Sequence, residues 1–572
     1  MTLKTNNSKK SGLERRLITF GLLVALTGFA SVAGATYSLP ADRSVTWQGN
    51  VGVKGDIPML TTIYRTLSPS GGDDTAALKA AISGCPAGQV VKLSAGTFKI
   101  SSPINVKSGM TLRGAGMGTT KIQGVSGMTG AYLVGFNSGS SVGTSLSISA
   151  GFSKGSSTIT TSMAHGYKVG DVILIDQLND ANGDPVVTSV GTNGTCTWCG
   201  RASGTRSLGQ VSKVTAVPSS TTATLEIPLY WKYEASQSPQ ATKLSGLTIK
   251  AGIEDLTIDN SLSGSSKQSS EGATIAHYGT DNCWLLRVEA IGSYTNMIRM
   301  KRSYRDTIRG CKFHEGTPAL PATGPQYSTS RAYGIYMSPA SGCLVENTQI
   351  YHLDMATKLD GPVSGNVFAY NYITAMYYSP SASWQVDSFR FHGGHPMMNL
   401  FEGNYVTGRV NADAVWGSSS HNTFFRTKNT LEPSRTSAAW NYSLYQKSNY
   451  YNMIGNVIGT AGFENGYSVS IGSKLKAIYG MDPAVSGTLL HANWDSLNKG
   501  IIWNGSNDRS LPASMYLSSK PGWWGSSPWP AIGPDLSPMY PTAPPVGTGT
   551  PWGGTTGTTR VLLSPPSALT VQ

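Results

Sequence analysis

Between about residues 250 and 460, short apolar runs alternate with turns rich in Gly, Asn and Ser, and one unit recurs: an apolar strand, an Asn, then another apolar strand. CLVEN ends at Asn347, NVFAYN at Asn371, NLFEGN at Asn404, NTFFRTKN at Asn429 and NMIGN at Asn456. The steps between them are 24, 33, 25 and 27 residues. A coil of fixed core with loops of variable length inserted on one side produces unequal steps of this kind. An Asn at such a turn accepts left-handed geometry, and its amide can bond the equivalent amide one coil away. The apolar positions before each Asn, Phe368, Phe401, Phe424 and Met453, are then expected to stack inside. The pattern predicts an all-β chain wound as a right-handed parallel β-helix, a solenoid in which each coil touches only its neighbours.

A solenoid needs its ends covered. GGDDTAALKAAISG predicts an N-terminal helical cap: Asp73 or Asp74 as N-cap, an apolar stripe of Ala77, Leu78, Ala81 and Ile82, and Gly84 as the stop. Strands follow at VVKL, FKI and MTLRGAGMG. The helix, the AGTF turn and the strand ending in a Gly-rich turn resemble the pectate-lyase-like β-helix superfamily, by motif over residues 55–125 and by repeat over 250–460. That resemblance implies the fold without fixing the chemistry, because the superfamily includes lyases, hydrolases, epimerases and phage fibres. GAGMG at Gly114–Gly118 lacks the Lys of a phosphate-binding loop and reads as a turn. HGYKVGDVILI and ATLEIPLYWKYE break the repeat and predict an inserted β subdomain. The expected organisation is a signal peptide over 1–35, cap and first coils over 36–145, the insertion over 146–245, the main helix and a closing segment over 246–540, and a Pro/Gly/Thr-rich tail over 541–572.

At the N-terminus Lys9, Lys10, Arg15 and Arg16 precede an apolar run, Leu17 to Ala30, and the small residues Ala33-Gly34-Ala35. This predicts an export signal cut after Ala35, and so a secreted or periplasmic protein. Cleavage leaves 39 basic and 30 acidic residues. A modest positive excess suits an anionic partner such as a uronic-acid polysaccharide. No cluster of Lys and Arg interleaved with aromatics suggests nucleic acid. No later run is long enough to span a membrane, and a monomer is expected. With 67 Gly in 572 residues and only 13% charged, the composition excludes a coiled coil or a charged disordered chain. Of six cysteines, Cys196 and Cys199 can close a small disulfide, while Cys283, Cys311 and Cys343 sit in apolar strands as buried thiols. The Trp-rich stretch with Trp523, Trp524 and Trp529 is expected to seal the end of the core.

Candidate chemistry follows from register. Eleven to seventeen residues before each Asn lies another strand of the same coil, carrying Tyr333 and Tyr336, then Lys358 and Asp360, then Asp387, Arg390 and His392, then Asp413 and Trp416. Alternate side chains share a face, so Lys358 with Asp360, and Arg390 with His392, should stack into one patch. Such clustering shifts pKa values and permits proton transfer. Aromatics beside it, Tyr336, Tyr377, Tyr378, Trp384 and Trp416, offer faces for sugar rings. Lys358, Arg390, His392, Asp360 and Asp413 are the candidate catalytic residues; Lys301, Tyr336, Asp387, His395 and Trp416 are the candidate substrate-binding residues. No metal ligands are assigned.

Elimination from a uronate would use Arg390 or Lys301 to neutralise the carboxylate, with Lys358 or His392 as base and the other as acid. The resemblance implies that Ca²⁺ often neutralises in such lyases, but no dense acidic cluster supports it here. Hydrolysis would instead use a pair from Asp360, Asp387 and Asp413, although the superfamily's hydrolase pattern, an adjacent Asp pair with a GHG turn, is absent and HGGH does not replace it. A non-catalytic carbohydrate-binding or surface protein would use the same aromatic and basic face.

Overall fold

A computed structural model describes residues 37–137, 139–180, 190–263, 272–293, 295–316, 332–377, 381–504, 509–524 and 527–541. The expected signal peptide, Tyr378 and nearly all of the tail lie outside the described residues. The chain winds as a parallel β-helix built from a 22-stranded and a 14-stranded sheet. Each coil contributes two short strands to the larger sheet, such as Leu344–Glu346 and Gln349–Tyr351, and one longer strand to the smaller, such as Met355–Leu359. The interior is a column of apolar side chains. Phe368, Phe401, Phe424 and Met453 face one another in register. The three Phe rings stack at 5.0 and 4.6 Å between centroids, as the sequence pattern required.

The Asn ladder is present, but its rung lies one residue from Asn347 and, at Thr427, two residues from Asn429. The corner of each coil is a residue of positive φ, and Asn347 (49°), Tyr370 (55°), Gly403 (64°), Arg426 (49°) and Gly455 (59°) are equivalent there. The residue after the corner forms the ladder. Asn371 donates to Asn404 at 3.0 Å, Asn456 donates to Asn493 at 3.0 Å, and Thr348 takes the rung that sequence spacing gave to Asn347. Asn429 lies inside the strand Lys428–Thr430, where its amide oxygen accepts from Asn441 (2.7 Å). A second ladder, Asn366–Asn399–Asn422, runs along another corner with amide bonds of 3.0 and 2.9 Å. Each fully buried rung satisfies main-chain groups that water cannot reach. Asn404→Ala strips acceptors from both the backbone N–H and the side-chain amide of Asn371, at about 1–3 kcal/mol per stranded group. Asn347→Gly keeps the left-handed corner and should cost a few tenths of a kcal/mol. Urea unfolding of the two variants measures the difference.

The helix Thr75–Gly84 caps the first coils and buries Leu78, Ala81 and Ile82, whereas Ala77 is exposed. Its first turn is held by Asp73, which accepts from the backbone N–H of Thr75 (2.9 Å). The insertion is a closed antiparallel barrel of six strands, opening with Ser141–Ala150 and ending with Gln240–Ser245. Cys196 and Cys199 form a disulfide, and Cys283, Cys311 and Cys343 are buried free thiols. Trp523, Trp524 and Trp529 do not seal an end. With Trp47 and Tyr516 they pack along the flank of the larger sheet, over Leu344, Val367, Leu400 and Phe425. Those outward positions are apolar and need a cover, which the two terminal segments supply together. The smaller sheet is left to carry the charged patch.

Candidate active site

On the smaller sheet Arg299, Tyr336, Lys358, Arg390 and Asn411 lie side by side on five successive coils. Their strand neighbours Ile298, Ile335, Phe389 and Val410 point into the core. Two residues further along, Asp360, His392 and Asp413 form the next row. Lys358 Nζ lies 3.1 Å from Asp360, while Arg390 Nε and His392 Nδ1 each lie 2.7 Å from Asp413 Oδ2. Stacking therefore brings Lys358, Asp360, Arg390, His392 and Asp413 together as the register implied.

A cleft of about 290 Å³ opens on this patch, and its polar wall is Asp354, Asp387, Arg390, Arg409, Asn411 and Asp413. Asp387 holds three of these in place. Its Oδ1 accepts from Arg409 Nε (2.7 Å), and its Oδ2 accepts from Asn411 Nδ2 (2.9 Å) and lies 3.4 Å from Arg390. Burial alone would raise the pKa of Asp413, but His392 and Arg390 outweigh it and hold the carboxyl at about 2. The buried Asp354 carboxyl goes the other way, to about 8: loss of hydration dominates, nearby Asp387 adds repulsion, and Arg390 and Lys358 offset only part. The surroundings thus drive two of the three cleft carboxyls apart, Asp354 toward its neutral form and Asp413 toward its ionised one.

The insertion completes the patch. The loop Val190–Cys199 reaches across two coils, donating backbone N–H groups of Thr192 and Asn193 to Ala414 and Val415 (2.8 and 3.0 Å). The disulfide lies against Gly361 and Gly393. A Cβ on Gly393 would come within 2.3 Å of Cys199 Sγ, so glycine is what admits the loop. Trp198 then donates to Asp360 Oδ2 (2.8 Å), which also accepts from Tyr336 (2.6 Å), and its ring meets Trp416 edge-on at 4.9 Å. Burial opposes ionisation of Asp360, but Lys358, His392 and these two donors hold its pKa below the usual carboxylate value.

Of the five expected substrate contacts only Asp387 lines the cleft; Tyr336, His395, Lys301 and Trp416 do not. Tyr336 is buried, with Arg299 at 3.7 Å and Lys358 at 4.6 Å from its ring centroid, so cations rather than a sugar occupy its environment. His395 is buried at a left-handed corner (φ 69°), and desolvation lowers its pKa to about 3. Lys301 stands two coils from Lys358, opposite Tyr278, and is not part of the cleft wall. Lys358 and His392 lie beside the cleft and do not line it. Asp354 and Arg409 were not among the expected site residues, and Trp384 was expected only as a flanking aromatic. Arg409 and Asn411 alternate with Asp413 in GRVNADAVW, a period-two signal that would have found them. Trp384 stands at the cleft, 39% exposed, with Arg409 5.3 Å from its ring centroid.

Among the described residues no group of three or more His, Cys, Asp or Glu is placed to hold a metal ion. The oxygens of Asp387 and Asp413 are already engaged by Arg390, Arg409, Asn411, His392 and the Val415 N–H. Calcium therefore does not fit this cleft.

Residues 70–168 match the family described as rhamnogalacturonase A/epimerase, pectate lyase-like, and residues 249–431 match the right-handed β-helix region. Similar solved structures include the tailspike gp49 from Pseudomonas phage LKA1, at 16% identity over 74% of this chain and 71% of that one (TM-score 0.41). The A-module of the Azotobacter vinelandii mannuronan C-5 epimerase AlgE4 is 12% identical over 75% and 98% (TM-score 0.34). A polygalacturonase from Erwinia carotovora ssp. carotovora is 11% identical over 77% and 98% (TM-score 0.29). No curated protein matches the sequence.

Proposed function

From the premise that the chain is a pectate-lyase-like right-handed parallel β-helix protein, we propose that it is an exported enzyme that cleaves a polysaccharide by hydrolysis in the Asp354 cleft. The observation that carries this is the placement of two carboxyl groups in one cleft, Asp354 pushed toward its neutral form by burial and Asp413 held toward its ionised form by His392 and Arg390. Two carboxyl groups whose surroundings drive their pKa values apart are the acid and base that glycosidic hydrolysis needs. Asp354 donates its proton to the leaving oxygen. Asp413, oriented by Arg390 and His392, is the carboxylate partner. Trp384 supplies an exposed ring face for a sugar. The family matches support a carbohydrate polymer as substrate; the export signal read from residues 1–35 supports action outside the cytoplasm.

Elimination draws its support from the row Arg299, Lys358 and Arg390, which could offset a uronate charge. Lys358 as the base fits less well, because its nitrogen is engaged by Asp360 and it does not line the cleft. The products separate the two chemistries. With a panel of neutral, amino-sugar and uronic-acid polysaccharides, hydrolysis yields new reducing ends without ultraviolet absorbance. An absorbing unsaturated sugar end would instead establish elimination. Binding without any bond cleavage would leave a non-catalytic glycan-binding protein.

A further inference from the structure

Two polar atoms in the wall of the cleft are left over after the network around Asp387 is complete. Among the described residues Arg409 Nη1 and Asn411 Oδ1 are buried and have no hydrogen-bond partner. Both side chains are almost fully enclosed, at 2% and 3% exposure, and both residues line the cleft. They hang from the same anchor, since Arg409 Nε donates to one oxygen of Asp387 and Asn411 Nδ2 to the other. The second bond fixes the amide orientation, because turning the amide over would set its oxygen against a carboxylate. The result is one free donor and one free acceptor on side chains anchored to the same carboxylate. A buried polar atom left unpaired is costly, and a ligand able to satisfy both would recover that cost.

We propose that this pair is a subsite for the acetamido group of an N-acetylated amino sugar. A secondary amide carries one acceptor and one donor, pointing to opposite sides of its trans C–N bond: its carbonyl oxygen would accept from Arg409 Nη1 and its N–H would donate to Asn411 Oδ1. Its methyl needs apolar surroundings, and Met355, Val386 and Val415 belong to the same cleft. A uronate carboxylate fits poorly, because it has acceptors only and would face Asn411 Oδ1 with a second oxygen. The charge balance agrees: Arg390 and Arg409 are offset by ion pairs to Asp387 and Asp413, and burial pushes Asp354 toward its neutral form. The cleft is therefore close to neutral, and an anionic ring gains no uncompensated cation there. The basic excess of the chain would act on parts of a polymer outside it. The subsite deepens the proposed function, resting on the Asp354 cleft as the place where sugar binds.

The test uses the full chain and four methyl glycosides: an N-acetylhexosamine, the matching hexosamine, hexose and hexuronate. Saturation-transfer NMR should show the N-acetylhexosamine bound about tenfold more tightly than each of the others, with the strongest transfer at its acetyl methyl. Asn411→Leu should remove that preference. The comparison among sugars on the unmodified protein stands even if the variant does not fold. Equal binding of all four, preference for the hexuronate, or no binding of any overturns the subsite. Reducing-end release from the polysaccharide panel is scored separately. Cleavage of a polymer free of acetamido groups would sink the subsite and leave hydrolysis standing, whereas acetamido-selective binding without cleavage would do the reverse.

Discussion

Asp354→Asn is expected to lower turnover by about 10²–10⁴-fold while making the folded chain more resistant to alkali. The first effect follows from the loss of the transferable proton, whose contribution as a general acid has that size. The second follows from linkage. The folded pKa of Asp354 is about 8, raised chiefly by burial, against roughly 3.9 in an unfolded chain. For a group whose folded pKa is raised, the stabilising contribution is complete below the unfolded value. It declines as pH rises and is gone once the folded value is passed. Asparagine carries no titrating proton and escapes that loss. The gap in unfolding free energy between variant and parent should therefore widen from pH 4 to pH 9, favouring the variant by an amount on the order of several kcal/mol. A rate that falls as pH rises through about 8 is the matching kinetic signature, while Asp413, held at about 2, imposes no acid limb near neutrality. A variant with normal turnover, or with an unchanged alkaline limb, would remove Asp354 from the chemistry.

What the sequence could and could not reveal divides along the same line as local and non-local physics. Register within the coils was legible. The period of the apolar runs placed Phe368 on Phe401 and Lys358 beside Arg390, because a parallel strand stack converts chain spacing into lateral contact. The ladder was legible only to within one or two residues. Asn is favoured both at a left-handed corner and on the rung after it, so Asn347 and Asn371 look alike in the string while playing different parts. Asp354 was not found because nothing in HLDMATKLD distinguishes a carboxyl that folding will strip of water. Its acidity is set by enclosure and by Asp387, more than thirty residues away in sequence. Trp198 was out of reach for a similar reason. A barrel inserted between two coils returns its disulfide loop to a strand that begins nearly two hundred residues later, and only Gly393 hints at the contact.

Asp360→Ala should be the most destabilising single substitution in the patch. The carboxylate is fully buried and serves three groups at once: the Lys358 ammonium, the Tyr336 hydroxyl and the Trp198 indole. Removing one partner of a buried pair strands the other charge, at about 3–5 kcal/mol. The loss should not be confined to the solenoid, because Trp198 ties the disulfide loop to the sheet. Intrinsic Trp fluorescence should therefore shift along with the urea midpoint, as Trp198 and Trp416 gain water. A second substitution tests the cause. If the stranded ammonium is the source of the cost, Lys358→Met in the Asp360→Ala background restores much of the stability, since a buried ion pair replaced as a unit is often close to neutral. The unbonded Tyr336 and Trp198 donors account for what is not recovered, at about 1–3 kcal/mol each at most. Strictly additive losses in the double variant would mean that Lys358 does not depend on Asp360, and that the coupling drawn here between the solenoid face and the inserted loop is wrong.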